Sequence, residues 1–263
     1  MPANELNYEL GGQGLNVVLL HPVGLDLTFL AAVADLLRKE FTVLTVDQRG
    51  HGKSPAQAPA HSLVDYADDL HALLTKLAFT PAAAVGFSFG GMVAQELALK
   101  YPQDFSALVI CASRASLPNA VRDIARARGD DARERGMRDI LEATLDRWFT
   151  PPFRASGKDE AARARLLSGD VEGWTQAWHA MAAVDTLPRL SGVLAPTLCL
   201  AGELDISSPP EAVKDMATAI PGACYAELKG APHMLFLEQP EATARVIGDF
   251  LRGVLRPPGA SVQ

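Results

Sequence analysis

The fold turns on the stretch Ala83-Ala84-Val85-Gly86-Phe87-Ser88-Phe89-Gly90-Gly91-Met92-Val93-Ala94-Gln95. It enters as a short apolar run of strand character. It then reads Gly-x-Ser-x-Gly and leaves as a small, apolar helical pattern that ends before Pro102. A sharp strand-to-helix turn has little room two residues either side of its centre, and glycine fits there. A serine at that centre sits at a helix N-terminus, above the carboxyl end of a sheet. The five-residue pattern is common by itself, so the flanking strand and helix give it its meaning.

Outward from this point the pattern repeats. Val17–Leu20, Thr42–Val46, Ala107–Cys111 and Thr197–Ala201 are short and almost wholly apolar, as strands covered on both faces must be. Helical stretches separate the early ones. Thr28–Lys39 carries an apolar stripe, and Ser62–Leu77 opens with Ser62 and Asp65 at capping-box spacing. This β-α-β-α order predicts an α/β protein with a doubly wound, mostly parallel sheet. The alternation stops over residues 113–190, which read as helices without a strand. That is too long for a loop and predicts a helical insertion between strands. The expected division is therefore a core of residues 1–112 and 191–263 and an insertion of 113–190. A last strand is expected near Cys224–Leu228 and a closing helix over Glu241–Val254, followed by a frayed tail at Arg256–Gln263.

Composition narrows the function classes. The chain has 263 residues, 48% of them hydrophobic, and a formal charge of −7, which suits a folded domain and makes nucleic acid a poor partner. Cys111, Cys199 and Cys224 form no CxxC pair and leave an odd thiol, so a reducing compartment is expected. No apolar run reaches bilayer length, and Met-Pro-Ala-Asn-Glu lacks the character of a signal peptide; a cytoplasmic protein that makes no use of a membrane is the expectation. Charge is uneven, however. Arg114 to Arg165 holds 12 Lys/Arg against 9 Asp/Glu inside an acidic chain. Solvated helix faces account for most such excesses; one or two inward-facing arginines would instead favour an anionic small molecule.

A serine hydroxyl needs a base, and the base needs an orienting carboxylate. Only His179 and His233 follow Ser88. His179 lies within the insertion beside Trp178 and reads as packing or surface. His233 follows a strand, in a turn able to reach the top of the sheet, and is the candidate base. Asp205, in Gly202-Glu203-Leu204-Asp205 just past a strand, is the candidate acid, with Glu203 its local competitor. Charge developing on a carbonyl oxygen would be met by backbone amides. Phe89, directly after the serine, offers one. The loop His21-Pro22-Val23-Gly24 offers the other through Val23, because Pro22 has no N–H. His21 reads as a structural tie for that loop.

Two motifs mislead. Gly50-His51-Gly52-Lys53-Ser54 ends like a phosphate-binding loop, but Asp47 stands where the first glycine belongs and Pro55 follows. Gly11-Gly12-Gln13-Gly14 precedes a strand, not a helix. The histidines form no ligand pair, so neither metal nor cofactor is expected.

With these motifs in place the chain resembles the α/β-hydrolase fold superfamily over nearly its whole length. The resemblance rests on His21-Pro22-Val23-Gly24, Asp47 through Ser54, Gly86 through Met92, Gly202-Glu203-Leu204-Asp205 and Pro232-His233. Within it the chain is similar to the 3-oxoadipate enol-lactonase group, through Val23-Gly24-Leu25-Asp26, Arg147-Trp148-Phe149-Thr150-Pro151, Ile220-Pro221-Gly222-Ala223 and Leu237-Glu238-Gln239-Pro240. The resemblance implies a serine hydrolase of small esters or lactones, with an anionic ring-containing substrate and a helical cap over Ser88. It implies Trp148 on the pocket wall, with Met234 and Phe89 at its border. Carbon–carbon bond hydrolases, perhydrolase-type esterases and ligand-binding receptors share this framework and stay open as alternatives. The oligomeric state is not legible.

Overall fold

The computed structural model describes residues 5–56 and 62–255. The expected frayed tail lies outside the described residues. Seven strands form one sheet in the order β1-β3-β2-β4-β5-β6-β7: β1 (Tyr8–Gly11), β2 (Leu15–Leu20), β3 (Phe41–Val46), β4 (Ala82–Phe87), β5 (Phe105–Cys111), β6 (Thr197–Gly202) and β7 (Cys224–Leu228). All neighbours pair in parallel except β1, which runs antiparallel against β3 with Tyr8 opposite Val46. β4 and β6 are buried at every residue, as their unbroken apolar sequences require. β1 went unread in the sequence because Tyr-Glu-Leu-Gly is half polar and lies exposed at the sheet edge.

Helices α1 (Ala31–Leu37), α2 (Leu63–Lys76) and α3 (Phe89–Lys100) connect the first strands. The stretch expected to be one helix from Thr28 begins as a separate 3-10 turn, Leu27–Leu30, capped by the Asp26 side chain. The capping box at Ser62 and Asp65 is present on α2. Between β5 and β6 come α4 (Asn119–Arg135), α5 (Met137–Trp148), α6 (Pro151–Ala155), α7 (Glu160–Ser168) and α8 (Val171–Ala182). α4 packs on α8, and a single bridge, Ser116 to Asp185, draws the two ends of this helical stretch together. α9 (Pro210–Ala219), α10 (Leu235–Glu238) and α11 (Pro240–Leu255) complete the chain, and α11 packs against α1. No helix among the described residues is long and apolar enough to cross a membrane.

The parallel register decides where function can sit. Leu20 lies level with Gly86, Phe87 with Cys111, Cys111 with Leu200, and Gly202 with Leu228. The loops after β2, β4, β6 and β7 therefore open on one edge, where ligand sites of open α/β sheets form. Residues 23, 88, 205 and 233 stand in or beside those four loops.

Candidate active site

Ser88 marks the turn from β4 into α3, with φ 52° and ψ −113°. A non-glycine residue with positive φ is strained by about 1–3 kcal/mol and persists only where its surroundings enforce it. The enforcement is visible. A Cβ on Gly86 would lie 2.2 Å from the Gly90 carbonyl oxygen, and one on Gly90 would lie 2.4 Å from that of Leu20. Both glycines are thus required by close backbone approach. The Ser88 amide donates to the Cys111 carbonyl at 2.9 Å, and the Ser113 hydroxyl donates to the Ser88 carbonyl at 2.7 Å. The backbone is held on both sides and the Oγ is left free of it.

That Oγ lies 2.9 Å from Nε2 of His233, whose Nδ1 lies 2.8 Å from Oδ2 of Asp205. The other carboxylate oxygen of Asp205 accepts the amides of Ser207 and Ser208 at 2.7 and 2.8 Å. An ionised carboxylate can only accept, so it fixes the proton of His233 on Nδ1 and leaves Nε2 as an acceptor facing the serine. His233 and Asp205 are 5% and 2% exposed, so water competes weakly for these bonds. Glu203 points elsewhere: it is exposed and accepts the Gly230 amide at 2.6 Å. His179 pairs with Asp130 at 2.9 Å, away from Ser88.

On the opposite flank, the loop after β2 is tied down from beneath. Nε2 of His21 accepts the Gln48 amide at 3.0 Å, and the Gln48 side chain donates to the His21 carbonyl at 2.8 Å. Burial pushes the His21 imidazole down to about 4, and burial together with His21 pushes His51 down to about 3, so both rings are neutral at pH 7. Asp47 explains the misleading glycine-rich motif. Its carboxylate accepts the amides of Leu27 and Lys53, each at 2.8 Å, and the Asn7 side chain at 2.7 Å. Residues 47–54 fold around that carboxylate, not around a phosphate.

A cavity of about 250 Å³ opens above Ser88 and His233. Val23 and Met92 supply core walls; Trp148 and Trp178 face them from the helices between β5 and β6. Arg114, Arg128 and Arg147 also line it. The sequence did not single these three out: Arg147 stood only within the Arg147–Pro151 motif, and the local excess of basic residues was the only trace of Arg114 and Arg128. Trp148 is among the residues lining the cavity, whereas Met234 and Phe89 are not. Met234 is fully buried, and its amide donates to the Trp148 carbonyl at 3.0 Å. The Phe89 ring turns beneath the site, 4.9 Å from Tyr66 and 5.7 Å from His51, although its amide opens α3. Next to Trp148, the amide and hydroxyl of Thr150 donate to Glu238 at 2.7 and 2.8 Å. The segments 147–151 and 237–240 are therefore bonded to one another.

A doubly wound sheet with a strained serine turn after β4, and an aspartate and a histidine after β6 and β7, matches the pattern of the α/β-hydrolase class. The family model of the alpha/beta hydrolase fold matches residues 16–240, and the chain belongs to that family. It is similar to 3-oxoadipate enol-lactonase 2 of Acinetobacter baylyi, with 28% identity over 90% of this chain and 89% of that one. Among solved structures it resembles the enol-lactonase from Burkholderia xenovorans LB400, with 29% identity, a TM-score of 0.89 and coverage of 95% and 97%. It also resembles a thermophilic esterase from Thermogutta terrifontis, solved with malate bound, with 32% identity, a TM-score of 0.89 and coverage of 95% and 93%.

Proposed function

We propose that this protein is a serine hydrolase that cleaves a small anionic carboxylic ester or lactone through an acyl-enzyme. The observation that carries the reading is the continuous line Ser88 Oγ, His233 Nε2, His233 Nδ1, Asp205 Oδ2, with spacings of 2.9 and 2.8 Å. Lactonases and an esterase among the similar proteins support the substrate class.

His233 takes the hydroxyl proton as Ser88 Oγ bonds to the acyl carbon. Asp205 stabilises the imidazolium without accepting its proton. The carbonyl oxygen becomes an oxyanion held by the amides of Val23 and Phe89. One such donor is worth about 3–4 kcal/mol in related chemistry. The bond to the leaving oxygen breaks and His233 protonates it. Water, deprotonated by the same histidine, then attacks the acyl-enzyme and releases the acid and free Ser88. No cofactor or metal enters these steps. Residues 113–190 act as a cap domain over a core of 1–112 and 191–263, excluding bulk water and limiting substrate size. A cavity of about 250 Å³ restricts the guest to a small molecule. Cys111, Cys199 and Cys224 are all free thiols, which fits a cytoplasmic enzyme.

The test is turnover of a panel containing small esters, five-membered lactones, dienoate ketones, and acetate with peroxide. Esters or lactones are expected to lead. Ser88→Ala is expected to abolish turnover with the fold retained by circular dichroism; more than about one tenth of wild-type activity in that variant refutes the nucleophile. Dominant cleavage of the ketones, or dominant peracid formation, would move the protein to a sister chemistry on the same three residues. Tight ligand binding without turnover would make it a receptor.

A further inference from the structure

Three arginines combine the lack of a carboxylate partner with a place on the cavity wall. Elsewhere in the insertion Arg133, Arg135, Arg154, Arg163 and Arg165 each meet a carboxylate within ion-pair distance, Arg165 that of Asp26 in the core. Arg114, Arg128 and Arg147 form no such pair among the described residues, and all three line the cavity above Ser88. Arg114 donates its Nε–H to the Ser207 carbonyl at 2.7 Å, beside the turn that holds Asp205. Arg128 lies over the face of Trp178, 4.9 Å from the ring centre. Nε of Arg147 is enclosed by protein and has no hydrogen-bond partner. No Asp or Glu borders the cavity.

The charges can be counted. Three guanidinium groups line the cavity, and the carboxylate acting on them is that of Asp205. Two positive charges are left uncompensated in a space of about 250 Å³. The strain of that arrangement is visible in the groups themselves. Burial and the neighbouring Arg147 push Arg128 down to about 10, and they push Arg114 down as well, against the pull of Asp205. Half-buried like charges without counter-ions weaken the fold modestly. They become an asset when a ligand brings the missing charge, because a guanidinium fork matches a carboxylate in two bonds.

We propose that Arg114, Arg128 and Arg147 form a subsite for two carboxylates, and that the substrate carries both before its ester bond is cut. This rests on the ester-hydrolase reading and specifies its substrate as a dianionic ester or lactone. A neutral acyl group leaves two cations uncompensated, and a monoanion leaves one. Hydrolysis adds water across the acyl C–O bond, giving an alcohol and a third carboxylate, with its proton passed through His233 to solvent. Where all three carboxylates remain on one product, the cavity sum turns from zero to negative beside Asp205, and the product is expelled.

Binding and turnover test this separately. Wild-type protein is titrated by calorimetry with butanoate and with succinate at fixed ionic strength. Succinate is expected to bind about tenfold more tightly, as one further charged hydrogen-bonded pair implies. Arg128→Gln and Arg147→Gln are each expected to erase most of that preference. Both should melt no lower than wild type, because each relieves repulsion. In turnover, kcat/KM should rise from methyl butanoate to monomethyl succinate to monomethyl tricarballylate, mainly through KM. Equal affinity for butanoate and succinate, or a preference untouched in both Gln variants, overturns the subsite. A substrate order that peaks at the monoanion overturns the dianionic substrate. If succinate is preferred but no ester is hydrolysed, the subsite stands and the serine-hydrolase reading falls.

Discussion

Two buried histidine environments face each other across the top of the sheet. His233 is buried against a carboxylate and has Ser88 at its free nitrogen. His21 and His51 are buried as deeply, yet their nearest fixed partners are backbone groups, the Pro22 and Arg49 carbonyls and the Gln48 amide. Burial alone disfavours the charged ring. Of these three rings His233 is the one with a carboxylate hydrogen-bonded to Nδ1. In the proposed mechanism the same side chain carries a proton at the cavity, whereas beneath the loop after β2 it is a neutral brace. The difference lies in one neighbour, not in depth.

Breaking each partner in turn sharpens the contrast. His233→Ala is expected to lower kcat by about 10⁶-fold, whereas His21→Asn, which can still bond the loop, should lower it far less; a comparable loss in both would mean that the brace carries the proton. Asp205→Asn should cost about 10⁴-fold, because an amide no longer fixes the proton on Nδ1, and Glu203→Gln should stay within tenfold of wild type. If Glu203→Gln is the worse of the two, the acid is misassigned.

The smallest effect concerns stability and pH. His51 has its pKa lowered from 6.5 to about 3 and His21 from 6.5 to about 4, so between those values the unfolded chain binds protons that the folded protein refuses. Folding free energy is intact above pH 6.5 and falls as pH drops towards 4, by about 1.4 kcal/mol per unit for each ring. His51→Leu should flatten the slope of urea midpoint against pH over that window by roughly one proton. An unchanged slope would mean that the ring is already protonated in the fold.

The placement of residues 88, 205 and 233 was legible because parallel strands all end on one edge, so chain order after each strand maps directly onto space. Side-chain direction was not. Phe89 and Met234 are each next in sequence to a residue at the site, and both turn into the core. A helix start and a tight turn each rotate consecutive side chains widely, so adjacency along the chain says little about a shared wall. The three cavity arginines were hidden for a related reason. Arg128 and Arg147 sit among other basic residues on α4 and α5 and Arg114 in the loop after β5, and only packing distinguishes an inward guanidinium from one on the outer face. β1 lacked any apolar signature because its stability comes from the ladder with β3, not from burial.

The bonds from Thr150 to Glu238 and from Met234 to the Trp148 carbonyl join the wall of the cavity to the loop that presents His233. A chimera that grafts a foreign set of helices between β5 and β6 would therefore unmoor the imidazole as well as reshape the pocket. Residues 147–151 and 234–240 have to travel as one inheritable unit, and a library that recombines lids on this scaffold should place its crossover points outside both.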